Sequence, residues 1–214
     1  MGAVTTAVVL TGGPDPPTAV ALPADATVIA ADGGAELAAL LGVEIDLLIG
    51  DLDSVSPGTQ ARAHRVDRHP ADKDATDLEL ALGAALRLGP ERILVLGGTG
   101  GRLDHLLGNA LVLAAAPYAA VRVDAQFGAA AVHVIRKERM LLGEPGEVIS
   151  LFAVHGPASD VVTDGLAYPL RGETLEPGSS RGVSNVFETP QVRIAVGHGV
   201  VLAIRPNGSA AAGS

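Results

Sequence analysis

Between Val4 and Ala125 the chain alternates short β-branched runs with Ala- and Leu-rich stretches of helical period, and this alternation limits its fold more than any other feature. Strands are expected at Val4–Leu10, Thr27–Ala31, Asp46–Ile49, Ile93–Leu96 and Val121–Ala125, with helices near Ala35–Leu41, Asp77–Leu88 and Arg102–Ala115. Apolar strands separated by helices imply βαβ units and a parallel sheet covered on both faces. From about Ala129 the helical period is gone. Short runs at Val132–Ile135, Val148–Val154, Val192–Val196 and Val200–Ile204 are punctuated by Gly, Pro, Asn and Asp, which predicts a small antiparallel β-sandwich or barrel. The expected layout is α/β: a Rossmann-like domain over residues 1–127, a β domain over 128–206, and a frayed small-residue tail over 207–214.

Composition narrows the partners. The 214 residues hold 15 Lys+Arg and 24 Asp+Glu, a net charge of −9, and 16 of the carboxylates lie in residues 1–127 against 8 basic residues there. Such a balance argues against nucleic-acid or anionic-membrane binding unless a cation intervenes. Without cysteine there is no disulfide framework, Cys nucleophile or thiolate metal site. No apolar run approaches the roughly 18 residues of a membrane span, and the N-terminus lacks a basic segment followed by a long apolar one, so a cytoplasmic protein is expected.

In an open α/β sheet, ligands bind beyond the carboxyl ends of the strands. Here the residues after each strand are unusually uniform: Thr11-Gly12-Gly13, Asp32-Gly33-Gly34, Gly50-Asp51-Leu52-Asp53-Ser54, and Gly97-Gly98-Thr99-Gly100-Gly101 leading into Arg102-Leu103-Asp104-His105. Glycine permits close backbone approach, and carboxylates at the same edge suit a hard divalent cation held through oxygen. The combination reads as a metal and polyphosphate site. Asp51 and Asp53 stand out, because alternate residues of an extended segment face the same way and would share a cation.

The segment Lys73-Asp74-Ala75-Thr76-Asp77-Leu78-Glu79 contains a capping box, Thr76 with Glu79, which marks a helix start. That role leaves Lys73, Asp74 and Asp77 unexplained. The chain has two lysines against thirteen arginines, and one of them stands beside this carboxylate cluster, where an ammonium serves as a compact charge for a phosphate. His64, His69, His133, His155 and His198 fall in no metal-ligand spacing. Neither a GxxxxGKS/T loop nor a GxGxxG helix opening occurs, so a bound nucleotide would be held in neither the P-loop nor the dinucleotide manner.

Taken in order, these motifs resemble the thiamine pyrophosphokinase (thiamine diphosphokinase) family: Ala31-Asp32-Gly33-Gly34, Gly50 through Ser54, Lys73 through Asp77, and Gly97 through His105. The later part is similar to the family's thiamine-binding domain through Ser150-Leu151-Phe152, Gly165 through Leu170, and Ser179 through Asn185. The resemblance implies transfer of the diphosphoryl group of ATP to thiamine, giving thiamine diphosphate and AMP, with Mg²⁺. It implies that Asp51, Asp53, Asp74 and Asp77 serve the metal, and that Lys73, Arg102 and Asp104 join them in catalysis. Nucleotide would meet Gly13, Asp32, Gly33, Ser54, Thr76, Gly100, Arg102 and Asn109, and the aminopyrimidine of thiamine would be hydrogen-bonded by Ser180, Ser184 and Asn185. It further implies a homodimer with sites at the subunit interface. Some members stack thiamine on a tryptophan; this chain has none, which leaves the stacking residue open. The other readings of the same residues are a diphosphokinase acting on another hydroxymethyl compound such as a pterin, and a non-catalytic nucleotide- or thiamine-binding module.

Overall fold

The computed structural model describes residues 5–17, 20–53, 55–70, 72, 74–99 and 101–210, and these divide into two compact units. The first comprises residues up to Val112 together with Val121–Gly128; the second comprises Leu113–Ala120 and the chain from Ala129.

In the first unit the expected strands form β1 (Thr6–Thr11), β2 (Thr27–Ala31), β3 (Ile45–Gly50), β5 (Arg92–Gly97) and β6 (Arg122–Phe127), with one further strand, β4 (Ala63–Arg68). They pair in parallel in the order β6-β5-β1-β2-β3-β4. Strand β1 sits centrally, and Ala7, Val8, Val9 and Leu10 are wholly buried. Helix α1 (Gly34–Leu41) and helix α3 (Asp77–Arg87) pack on the sheet through Ala35, Leu37 and Ala38 and through Leu78, Ala81, Leu82 and Ala85. The short helix α2 (Pro57–Gln60) begins at Ser56, whose hydroxyl accepts from the Thr59 N–H, and α4 (Leu103–Leu113) follows β5. Charge inside the sheet is paired: Asp124, fully buried, accepts from the Nε–H of both Arg92 and Arg122, at 2.9 and 3.0 Å.

Strand β4 escapes the sequence pattern because it is the sheet edge. Its AHRVDR sequence keeps charged side chains in water and shows no apolar face.

The second unit is a β-sandwich. Strands β7 (Ala130–Ile135), β9 (Val148–Ala153), β12 (Asn185–Val186) and β14 (Val201–Arg205) pair antiparallel in the order β12-β9-β14-β7. Strands β8 (Glu138–Leu142), β10 (Ala158–Asp164), β11 (Arg171–Leu175) and β13 (Gln191–Ala195) pair antiparallel in the order β11-β10-β13-β8. Both sheets supply the core, with Ile135, Ile149, Leu151 and Val201 from one and Leu141, Val161, Leu175 and Ile194 from the other. The most buried of the ion pairs described in this unit joins Arg205 to Glu147: Arg205 donates through Nε and a terminal nitrogen to the two oxygens of Glu147 at 2.7 and 2.8 Å, over the ring of Phe187. In the segment expected to fray, Ala210 is buried. Among the described residues no helix is long and apolar enough to cross a membrane.

The order of the parallel strands makes β1 and β5 the point where the connections diverge, and ligand crevices form at such points. There the turns touch through main chain. A Cβ on Gly98 would stand 2.1 Å from the Pro14 carbonyl oxygen and 2.3 Å from the carbonyl carbon of Gly13. Neither neighbour is a side chain that can swing aside. Gly98→Ala is therefore expected to part the two turns and destabilise the protein by about 1–3 kcal/mol, read as a lowered urea midpoint at unchanged slope. A midpoint equal to that of the parent would show that the turns are not in contact in solution.

Candidate active site

Three turns converge at the carboxyl edge of the parallel sheet. Asp32 follows β2, and its N–H donates to the carbonyl of Ile49 at the end of β3, so parallel register alone brings Asp32 beside the turn that carries Asp51. The carboxylates of Asp32, Asp51 and Asp53 each place an oxygen within 4.8 Å of the others. Asp32 and Asp51 are half-buried, and Asp53 is exposed.

Asp51 and Asp53 converge for a different reason from the extended alternation expected from sequence. Strand β3 ends at Gly50. Leu52 then adopts φ +62°, with its side chain buried, and the Asp53 N–H donates to Asp51 Oδ1 at 3.3 Å. A side-chain-capped turn, not a pleated strand, sets the pair.

Gly50 itself leaves room for a further carboxylate. It has φ +145°, and a Cβ there would lie 3.1 Å from Asp77 Oδ1 and 3.2 Å from the Asp32 Cβ. Asp77 therefore descends onto the same floor from the first turn of α3. That helix begins where the capping box predicts: the Thr76 hydroxyl accepts from the Glu79 N–H at 3.2 Å. Asp74, Thr76 and Asp77 line one wall of a crevice of about 870 Å³. The crevice is also lined by Gly12, Gly13, Gly98 and Gly101, by Arg102, Asp104 and Asn109 at the start and middle of α4, and by Asp32, Gly33 and Asp51. Asp53 does not line this crevice, and Asp74 lies outside the tight group of three. Lys73, Ser54 and Gly100 lie outside the described residues.

Asp32, which the resemblance implies for nucleotide, stands among the carboxylates, a place not expected from the sequence. The signal was present, since Asp32 and Asp51 each follow directly after neighbouring parallel strands.

Arg102 and Asp104 form an exposed bidentate pair, with Nε and a terminal nitrogen of Arg102 donating at 3.2 and 2.6 Å. The guanidinium holds the Asp104 carboxyl at a pKa of about 2, below its ordinary 3.8, and Asp104 raises that of Arg102.

The second unit carries its own pocket, of about 410 Å³, lined by Tyr168 and Ser179 through Asn185. Tyr168 is 62% exposed. Ser180 and Ser184 are exposed, and the Ser184 N–H donates to the Ser150 hydroxyl at 3.0 Å. Arg181 is tied bidentately to Glu173, at 2.8 and 2.9 Å, which lowers the carboxyl pKa and raises that of the guanidinium. Asn185 is 1% exposed, with its amide turned into the protein. Tyr168 is the residue the sequence reading passed over as a site residue; in a chain of 2% aromatic content, a tyrosine beside the serine-rich segment was the available signal.

The acidic, glycine-lined crevice at the carboxyl edge of the sheet suits a cation with a polyphosphate, and the β-sandwich carries a pocket of its own. Residues 20–124 match the thiamin pyrophosphokinase catalytic domain, and residues 132–201 match the thiamin pyrophosphokinase vitamin B1 binding domain. The chain belongs to the thiamin pyrophosphokinase family and is an enzyme of it. It is similar to the thiamine pyrophosphokinase of Bacillus subtilis, 29% identical over 174 residues that cover 73% of this chain and 76% of that one. A crystal structure of thiamine pyrophosphokinase from Bacillus subtilis aligns with a TM-score of 0.81 at 23% identity, over 96% of this chain and 100% of that one. The structure of a thiamin pyrophosphokinase family protein from Enterococcus faecalis gives 0.79 at 22% identity, over 96% and 100%. Those two likenesses bear out the expected fold.

The Arg102–Asp104 pair has a defined acid limit. With the folded pKa below the ordinary one, the pair's contribution is present at neutral pH and is lost as pH falls through about 2. Carboxyl NMR is expected to show Asp104 titrating near pH 2 and moving up toward 3.8 in Arg102→Met. An unmoved midpoint in the variant would mean that Arg102 does not hold Asp104.

Proposed function

We propose that the chain transfers the diphosphoryl group of ATP to the hydroxyethyl oxygen of thiamine, yielding thiamine diphosphate and AMP. The observation that carries this reading is the convergence of Asp32, Asp51 and Asp53 at the carboxyl edge of the parallel sheet, where Asp32 and Asp51 line a glycine-rich crevice, in a chain that also matches the vitamin B1 binding domain. The division of work follows the proposed boundaries: residues 1–127 for ATP and metal, and 128–206 for thiamine.

The donor set fits Mg²⁺. Carboxylate oxygens are hard ligands, and three of them, Asp32 from one turn and Asp51 and Asp53 from the next, leave positions open for phosphate oxygens and water. Asp32, Asp51 and Asp53 would hold the ion, with Asp74 and Asp77 on the adjoining wall available to it or to its waters. Bound there, Mg²⁺ supplies charge neutralisation on the phosphate oxygens.

In the reaction the thiamine hydroxyl oxygen bonds to the β-phosphorus, the bond from that phosphorus to the α,β-bridging oxygen breaks, and AMP leaves with the bridging oxygen. The hydroxyl proton passes to a carboxylate of the crevice, a role assigned to Asp77, or to water. Arg102 exchanges part of its pairing with Asp104 for the moving group, and Lys73 is assigned the same task. Glycine main chain, including Gly13 and Gly33, with Thr76 and Asn109, surrounds the nucleotide. Tyr168 offers its ring face to the aminopyrimidine, and Ser180 and Ser184 offer hydroxyls. Arg181 lines that pocket without repelling a cationic thiazolium, because Glu173 offsets its charge.

The proposal includes a homodimer acting in the cytoplasm, where ATP is held. Outward-facing Leu103 and Leu107 on α4, 78% and 58% exposed, support a second copy of the chain.

Incubation with ATP, Mg²⁺ and thiamine, followed by separation of the nucleotides, is expected to give AMP. ADP as the product would overturn the reading. Asp51→Asn keeps shape and removes a charge from the floor, so turnover is expected to fall about a hundredfold or more with the melting temperature little changed. Activity within about threefold of the parent at ordinary Mg²⁺ would remove Asp51 from the metal site.

A further inference from the structure

Asn185 occupies an unusual position for a residue expected to bind substrate. It belongs to the pocket segment, yet it is 1% exposed. Its Oδ1 accepts from the Tyr168 N–H at 3.0 Å and from the Val186 N–H at 2.9 Å, and its Nδ2 donates to the Tyr168 carbonyl at 2.7 Å. An asparagine amide has two acceptor sites and two donor hydrogens. Three of the four are spent on main chain. Both polar main-chain groups of Tyr168 thus bond to one side chain, as they would to a neighbouring strand.

The rest of the segment is pinned as well. The Ala167 N–H donates to the Val186 carbonyl at 2.9 Å, and Leu170 exchanges hydrogen bonds with Thr163 at 2.9 and 3.0 Å. Tyr168 sits between these fastenings and is 62% exposed. Ser184, at φ +55°, turns the chain so that its own side chain faces out and that of Asn185 faces in.

We propose that Asn185 is a positioning residue: it holds the Tyr168 main chain so that the ring stands ready as a platform for a planar heterocycle, and it does not touch that ligand. For the identity of the heterocycle this rests on the thiamine reading above. A ring presented from a fixed backbone loses little further freedom when a ligand stacks on it, so the fastening acts on affinity and not on the chemical step.

A double-variant cycle separates this from direct contact. Asn185→Ala and Tyr168→Ala are each expected to raise the KM for thiamine about tenfold, leaving kcat at saturating thiamine and the KM for ATP within about threefold. Because Asn185 acts through Tyr168, the double variant is expected to match the worse single variant. Multiplied effects, about a hundredfold together, would mean that Asn185 meets the ligand itself and would overturn the proposal.

A second arm needs no substrate. The chain has no Trp and two Tyr, so in a Tyr118→Phe background Tyr168 is the sole strong fluorophore. Asn185→Ala in that background is expected to lower the anisotropy of Tyr168 and raise its quenching by acrylamide, at unchanged far-UV circular dichroism. Unchanged anisotropy and quenching would also overturn the proposal. If Asn185→Ala does not fold, Asn185→Asp serves, since it keeps shape and both acceptors but loses the donor to the Tyr168 carbonyl. Should Tyr168→Ala leave the KM for thiamine unaltered, the thiamine reading of this pocket fails, and the fluorescence arm alone decides whether Asn185 positions the ring.

Discussion

Everything in the first unit depends on the register of its parallel ladder. Parallel pairing aligns the carboxyl ends of neighbouring strands, so whatever follows each strand is delivered to one edge. Ala31 stands opposite Ile49 and Leu10 opposite Ala30, which sets the turns after β1, β2 and β3 side by side. The floor of carboxylates is a consequence of that alignment. No local rule of sequence joins Asp32 to the turn that holds Asp51 and Asp53.

The turns then pack through bare main chain. A Cβ on Gly12 would come within 3.3 Å of Gly33, and one on Gly13 within 3.1 Å of Gly98. Side chains there would hold the turns apart and widen the crevice, so the same glycines serve the packing of the fold and the width of the site. The second unit is built on another basis. Its strands are antiparallel, its core is shared by two sheets, and its pocket is defined by side-chain to main-chain hydrogen bonds such as those of Asn185 and Ser150.

Legibility in the sequence followed burial. Strand β2 was found residue for residue, because a strand covered on both faces is a continuous apolar run between turn signals. Strands β4 and β11 were not, since AHRVDR and RGETL are largely solvent-facing and carry no apolar run. In the site, the polar residues at strand ends were legible as a group, and the capping box placed α3 correctly. How the groups meet was less legible. Leu52 at positive φ turned Asp51 toward Asp53 by a route that strand alternation does not describe, and Asn185, read as facing a ligand, has its amide committed inside the protein. The first depends on a local side-chain-capped turn and the second on hydrogen bonds to a residue seventeen positions away, and neither leaves a periodic trace in the chain.

A wall made of main chain also bears on how the crevice can change over time. Gly12, Gly13 and Gly98 present peptide groups that substitution by any residue but proline retains, and the crowding around them penalises an added side chain. An inhibitor that drew its affinity from those amides and carbonyls would leave the protein few routes to resistance, because altering the contact means disturbing the packing that keeps the domain folded. A compound anchored on the exposed Tyr168 ring would face the opposite situation, with a side chain free to be replaced.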